Sequence, residues 1–382
     1  MKIVCISVSQ VPSIKANSIQ LMKVCQAFAQ LGHDVTVLVP SYQPSFSVMD
    51  PSARAVHYGL TCSFPVEYLT MSPFLRTYDF CLTAVRQARS CKGDVIYTRS
   101  LPAAVFALLL RIPVLLEMHA PPEGRFGPLI FRLFLSLSGK KRLLPISKAL
   151  ADILDSGYNI SRRSSSVSVV VSHDGVDLER YQDLPDSVTA RRILALPEIP
   201  TAVCTGNLYD GRGRKMVTEL ARRLPHMQFL WIGGDSKAVE CWRAQLAGDK
   251  ISNIILTGFI ENSRLPLYQA AAEVLLMPYE RMITGSSGGN TAAFCSPLKM
   301  FEYMASNRPV ISSDLPVIRE VLNSANAVLC PPDELEAWEH SLRLLLEDPG
   351  KRNQLASQAR QDADCYTWIR RQNKILEGFS KG

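Results

Sequence analysis

The sequence is short of features that mark several common classes of protein. It has no Cys-x-x-Cys pair and no Cys/His grouping at zinc-ligand spacing, although ten cysteines are scattered from Cys5 to Cys365. Several sit inside apolar strand-like runs, which suits reduced thiols in a cytosolic core. No apolar run reaches the ~18 residues that a membrane-crossing helix needs. The longest, 101–118, is broken by Arg111 and Pro113. The opening Met1-Lys2-Ile3-Val4-Cys5-Ile6-Ser7 is strand-length, too short for the apolar region of a secretory leader and without a cleavage site. A Gly-x-Gly-x-x-Gly loop is missing after the first strand, which argues against a nicotinamide oxidoreductase. There is no recognised nucleic-acid motif and no basic helix interleaved with aromatics. The charge balance is basic, +7, which favours acidic small molecules or anionic lipid surfaces as partners and says nothing about fold.

What is present is a globular composition, 47 % hydrophobic, in a chain of 382 residues. Single cores stop growing near ~250–300 residues, so two domains are expected. In the first half, 2–8 reads as a buried strand, 18–31 as an amphipathic helix with Ile19, Met22, Phe28 and Leu31 among its apolar positions, and 34–39 as the next strand. This β-α-β order implies a parallel sheet with right-handed crossovers. The loop 10–17 falls at the carboxyl end of the first strand, where open α/β sheets bind ligands. Lys15 and Asn17 are its polar candidates, and an ordinary solvated loop fits equally. Strands at 94–99 and 113–118 follow. The second runs into Glu117-Met118-His119-Ala120-Pro121-Pro122 and sets His119 at a strand end on the cleft side of the sheet; the other five histidines have no such context. An apolar helix over 126–137 precedes Lys140-Lys141-Arg142, expected as a solvated basic turn, though basic charge there also suits the helix dipole and a peripheral membrane contact.

A strand at 167–171 leads to Ser172-His173-Asp174-Gly175-Val176-Asp177. The polar stretch 178–200, with Pro185, Pro197 and Pro200, loses strand character and marks the boundary between domains at 1–180 and 200–360. The second domain opens with a strand ending at Gly206 and the loop Asn207-Leu208-Tyr209-Asp210-Gly211-Arg212-Gly213-Arg214-Lys215. Gly211 and Gly213 allow close backbone approach, and Arg212 and Lys215 can offset phosphate charge; a solvated basic turn is the competing reading. Further strands are expected at 228–232, 253–259, 273–278 and 309–313, with helices at 263–272, from Pro316 and at 333–347.

The chain is organised around Ser296-Pro297-Leu298-Lys299-Met300-Phe301-Glu302-Tyr303-Met304-Ala305. Ser296 as N-cap and Pro297 at the first helical position predict a helix start. The run Thr284-Gly285-Ser286-Ser287-Gly288-Gly289-Asn290-Thr291 feeds it. A flexible loop entering a capped helix is a ready anion site, because the free first-turn N–H groups and the helix dipole both point at it. Lys299 in that turn opposes the dipole unless an anion is present. Glu302 shares a helix face with Leu298. A carboxylate there can accept hydrogen bonds from two sugar hydroxyls while the helix start holds a phosphate, which suggests a pocket for a nucleotide diphosphate sugar. On spacing alone, a buried helix with an ordinary cap fits equally.

Together with the following Pro-Val-Ile-Ser-Ser-Asp-Leu, this stretch resembles the donor-site signature of glycosyltransferase family 4, retaining enzymes of the GT-B fold. The resemblance extends over nearly the whole chain. It takes in Ser147-Lys148-Ala149-Leu150 opening a helix, Asp174-Gly175-Val176-Asp177 before the linker, and Tyr366-Thr367-Trp368 near the end, where the tail 361–382 crosses back to the first domain. It implies an α/β chain of two Rossmann-like doubly wound parallel-sheet domains facing a central cleft, acceptor side first and donor side second. It further implies a cytoplasmic enzyme of polysaccharide biosynthesis, working without metal or cofactor. Such an enzyme moves a sugar from a nucleotide diphosphate sugar to a saccharide, lipid-linked or small-molecule acceptor, in places at the inner face of a membrane. Carried over residue by residue, His119 contacts the transferred sugar, and Lys15 and Asn17 face the donor phosphates and the acceptor. Arg212, with Gly213 standing for the family's Lys-Gly, binds phosphate, with Lys215 in reserve. Gly206, Ser296, Pro297, Leu298 and Lys299 complete the donor site and Glu302 anchors the ribose.

Two positions depart from the pattern. The family has a glutamate eight residues before its second one, and counting back from Glu302 gives Phe294. Asn207 takes the first basic position of the 207–215 loop. A nucleotide-sugar-binding protein without transferase activity is therefore the alternative. Asp362-Ala363-Asp364 resembles the metal motif of the other large glycosyltransferase fold, but in a charged helical tail it reads as a solvated helix face.

Overall fold

Short apolar runs bounded by glycine, proline and polar residues form thirteen strands among the described residues, all parallel, in two sheets. The structure is a computed structural model describing residues 1–41, 49–72, 76–163, 166–285 and 289–379. Ser286, Ser287 and Gly288 of the glycine-rich run lie outside the described residues. The chain divides into two compact units, Met1–Asp174 with Trp368–Gly382, and Gly175–Thr367.

The first unit holds β1 (Lys2–Ile6), β2 (Asp34–Pro40), β3 (Val66–Leu69), β4 (Val95–Thr98), β5 (Val114–Met118), β6 (Lys141–Pro145) and β7 (Ser168–Val169), in the order β3-β2-β1-β4-β5-β6-β7. Strand order reverses between β1 and β4, and their carboxyl ends are where a doubly wound sheet receives a ligand. β4 and β5 are buried throughout, as strands covered on both faces must be. The helix Trp368–Leu376 also belongs here and packs on the helix Ala16–Gln30.

The expected solvated turn at Lys140-Lys141-Arg142 is corrected for two of its residues, Lys140 alone being exposed. Lys141 and Arg142 are buried in β6. The Lys141 ammonium donates to the carbonyls of Phe134 and Leu135, each at 2.9 Å, and of Leu137, thereby closing the end of the helix Gly127–Ser136. Arg142 donates to the carbonyls of Ile375 and Glu377 at 2.7 and 2.8 Å. Carbonyls left over at helix ends, not water, take these charges.

The second unit holds β8 (Thr201–Thr205), β9 (Gln228–Ile232), β10 (Ile254–Gly258), β11 (Val274–Met277), β12 (Val310–Ser313) and β13 (Val328–Cys330), ordered β10-β9-β8-β11-β12-β13, with its switch between β8 and β11. Trp231, Trp242 and Trp338 anchor its core, the first two meeting edge to face at 5.2 Å. The stretch 178–200 is packed into this unit. Asp186 caps the helix Ser187–Ile193, whose Arg191 donates through Nη1 to both carboxylate oxygens of Glu273, at 2.7 and 2.8 Å. The helix expected from Pro316 is only a 3-10 turn, Ile318–Glu320, with Asp314 paired to Arg319 at 2.7 Å. Of the Asp-x-Asp run expected on a solvated face, Asp364 is exposed, but Asp362 is half-buried and accepts from Asn326 at 2.7 Å and Gln358 at 2.9 Å, tying the helix Pro349–Ala363 to its unit.

Candidate functional site

In the second unit, a short segment follows each of the switch-point strands, β8 and β11, and the two segments interlock. Gly211 and Gly213, expected to admit a ligand, instead admit the chain itself. A Cβ on Gly211 would lie 1.9 Å from the Met282 carbonyl oxygen, and one on Gly213 2.2 Å from that of Pro278. Both residues have positive φ, so a side chain is excluded by conformation as well as by space. This packing delivers Arg212 to Tyr279, just past β11. Arg212 Nη1 donates to Tyr279 Oη at 2.8 Å, Nη2 to the Thr284 carbonyl at 3.3 Å, and the guanidinium lies 5.0 Å from the ring centre. The Arg212 Nε is buried with no hydrogen-bond partner.

Lys299 approaches the same ring, its ammonium 4.7 Å from the centroid. It is 7 % exposed, and its Nζ has no hydrogen-bond partner. Burial, with Arg212 adding repulsion, pulls the ammonium down to about 7. Burial likewise pushes Tyr279 up to about 12 and the neighbouring Cys295 thiol up to about 11. A Cβ on Gly206 would sit 3.7 Å from Lys299 Nζ, so the end of β8 flanks the ammonium directly. Two cations converge on one aromatic ring, and one of them lacks a partner. A buried polar donor left unmatched is uncommon and destabilising, and a phosphate is the chemistry that would match it.

The helix that carries Lys299 is Leu298–Ala305. Ser296 is not its N-cap and Pro297 is not its first residue. Pro297 occupies the cap with φ −79° and ψ 128°, and its carbonyl accepts from Met300 N at 3.0 Å. The proline ring fixes φ but leaves ψ extended, so the helix starts one residue later than expected. Pro297 itself brings no side-chain acceptor to this start. Ser296 is buried, whereas Pro297 and Leu298 are half-buried. Glu302 is half-buried on the helix, 3.5 Å from Gln269 Nε2. Lys215, in the first turn of the helix Arg214–Arg223, is exposed and shares none of the contacts that tie Arg212 and Lys299 to Tyr279. Phe294 is buried.

In the first unit, β5 ends on a buried carboxylate. Glu117 Oε1 accepts from Gln20 Nε2 at 2.6 Å and His119 Nε2 at 2.5 Å, and Oε2 accepts from Tyr97 Oη and Arg371 Nη2. Burial would raise this carboxyl, but Arg371 and His119 overcome it and hold it well below the usual carboxylate range. His119 is pulled down to about 4, chiefly by burial and then by Arg99. Arg99 at the end of β4 reaches the Asn17 carbonyl and Gln20 Oε1, both at 3.5 Å. Asn17 thus joins this cluster through its backbone. Lys15 is exposed at the cap of the helix Ala16–Gln30 and does not join it. The sequence reading missed Tyr279, Glu117 and Arg371. Tyr279 immediately follows the expected strand 273–278 at a switch point, a position that could have marked it. Arg371 carried no local signal.

Two doubly wound parallel-sheet units of this kind define the GT-B class of glycosyltransferase fold. The solved structure of Anabaena Alr3699/HepE in complex with UDP-glucose matches with a TM-score of 0.73 at 17 % identity, covering 99 % of each chain. The description Glycosyltransferase Family 4 matches residues 18–180, and Glycosyl transferases group 1 matches residues 199–348. The chain belongs to glycosyltransferase family 4. It is 33 % identical over 102 residues to the teichuronic acid biosynthesis glycosyltransferase TuaH of Bacillus subtilis, covering 27 % of this chain and 23 % of that one. It is 25 % identical over 183 residues to the processive diacylglycerol alpha-glucosyltransferase of Acholeplasma laidlawii, covering 47 % and 52 %. The chain thus spans about half the length, or less, of these curated relatives.

Proposed function

We propose that the protein transfers a sugar from a nucleotide diphosphate sugar to a saccharide or lipid-linked acceptor, with retention of anomeric configuration and without a metal ion. The observation that carries this reading is the buried, unpartnered Lys299 ammonium beside Gly206 and Arg212. In this reading, the bond between the anomeric carbon and the diphosphate oxygen breaks as a bond to the acceptor oxygen forms on the same face. The acceptor proton passes to the leaving phosphate. Charge growing on the diphosphate is met by Lys299, Arg212 and the start of the helix Leu298–Ala305, groups already in place before the reaction. Glu302 accepts from the ribose hydroxyls, and His119 contacts the transferred sugar. The UDP-glucose complex of the similarly folded Anabaena HepE supports a uridine donor. A protein of this kind would work in the cytoplasm, with peripheral contact to a membrane where its acceptor is lipid-linked.

The test is a panel of UDP-, GDP- and ADP-sugars with EDTA present, followed by calorimetry and by detection of released nucleotide and product anomer. Saturable binding of one donor with metal-free transfer and a retained anomer is expected. An inverted anomer, or no binding of any donor, would overturn the reading. Phe294, buried where the family carries a glutamate, motivates a second reading as a nucleotide-sugar-binding protein. Tight binding without turnover when acceptors are supplied would favour it.

A further inference from the structure

We propose that Glu117 is a positioning residue for His119: a buried carboxylate that holds the imidazole as its Nε2–H tautomer, turns Nδ1 into a pure acceptor, and is itself locked by Arg371 of the C-terminal helix. This rests on the sugar-contacting role proposed above for His119. It goes beyond that role by fixing what the imidazole can do.

The argument starts from the carboxylate. The Glu117 side chain is wholly buried, and its two oxygens serve four groups, Gln20 and His119 on Oε1 and Tyr97 and Arg371 on Oε2. An ionised carboxylate has no proton to give, so all four must donate. A neutral imidazole has one N–H, and here it is on Nε2. Among the described residues, Nδ1 has no hydrogen-bond partner, so its lone pair is left for a hydroxyl of a bound sugar. The charged groups around the ring are Glu117, Arg99 and Arg371; Glu117 favours the protonated ring, and burial with Arg99 and Arg371 outweighs it and keeps the ring neutral.

The surrounding groups fix the carboxylate in turn. Gln20 is oriented by Arg99, which reaches its Oε1 at 3.5 Å. Arg371 is anchored at 2.7 Å to the His173 carbonyl through Nε and at 3.2 Å to the Ser172 carbonyl through Nη2. Its guanidinium lies 5.5 Å from the Trp368 ring. With every oxygen occupied and no exposure, Glu117 does not reach a substrate itself. What it controls is the direction and tautomer of His119. A buried pair of this kind is a weak source of stability but a strong constraint on geometry, and losing one member leaves an uncompensated charge.

The first test needs neither substrate nor variant kinetics. Nitrogen NMR of the histidine rings, with His119 assigned by its absence in His119→Asn, should show a neutral Nε2–H ring from pH 6 to 8. A ring carrying its proton on Nδ1, or titrating near pH 6.5, would overturn the proposal. The second test is kinetic. Glu117→Gln should lower kcat by roughly 10–100-fold, the scale of a misaligned catalytic contact, with donor KM within about twofold. Glu117→Gln/His119→Ala should lose no more than His119→Ala alone, because the two act through one contact. Additive losses would contradict a positioning role. If Glu117→Gln does not fold, Glu117→Gln/Arg371→Met removes both buried charges together and takes its place. If the wild type binds no donor, the proposed function fails, while the NMR result still decides the tautomer.

Discussion

Lys299 offers the sharpest prediction, because its burial has consequences for stability and for binding that are linked by one proton. Its ammonium is displaced from 10.5 to about 7, by burial first. Between those values the unfolded chain holds a proton that the folded protein does not, so stability rises with pH across that window. The displacement amounts to on the order of 4 kcal/mol against the fold at pH 7 and shrinks toward zero as pH approaches 10.5. Lys299→Met should therefore stabilise the ligand-free protein by a few kcal/mol at pH 7 and by progressively less up to pH 10, read from urea denaturation. A diphosphate arriving beside Nζ favours the charged form, so binding should draw a proton onto Lys299. Calorimetry of the preferred nucleotide sugar, whose diphosphate has no group titrating in this range, run in buffers of different ionisation enthalpy, should show uptake of about half a proton near pH 7, approaching one near pH 8.5 and vanishing near pH 5. Lys299→Met should abolish that uptake and weaken binding. A binding enthalpy independent of buffer at pH 8.5, together with a variant no more stable than wild type, would refute the reasoning.

Other expected outcomes follow from the same contacts. Arg212→Ala should weaken nucleoside diphosphate binding by roughly 10–100-fold, since it removes a charge-assisted donor, whereas Lys215→Ala should change it by less than about threefold. Glu302→Ala should lower affinity by roughly tenfold and narrow the preference for ribose over deoxyribose nucleotides, measured by competition. Lys141→Met should leave three helix-terminal carbonyls without their charged donor and lower stability by roughly 2–4 kcal/mol in urea denaturation.

Much of the fold was legible because its strands are buried on both faces and read as continuous apolar runs; the strand expected at 228–232 is β9 to the residue. The candidate phosphate ligands Arg212 and Lys299 were legible as basic charge beside glycine and a helix start. Errors arose where a decision depended on partners distant in sequence. Arg142 read as solvated because a local window does not contain the carbonyls of Ile375 and Glu377; the partners of Lys141 lie close by in sequence, but spacing alone does not show its side chain turning back onto them. Arg371 meets Glu117 across 254 residues, a pairing that no periodicity encodes. The start of the helix Leu298–Ala305 was misplaced by one residue because proline constrains φ and not ψ. Gly211 and Gly213 were rightly singled out, but it is the chain's own 278–283 segment that they accommodate.

The central claim is that a nucleotide sugar is held by the second unit around Lys299, Arg212 and Glu302. Hydrogen exchange of the full chain, with and without a saturating nucleotide sugar from the panel, tests it most directly. The account predicts slowed exchange in 206–215 and 298–302, at the end of β8 and the first turn of the Leu298–Ala305 helix. Saturable binding with exchange unchanged in both segments would contradict it.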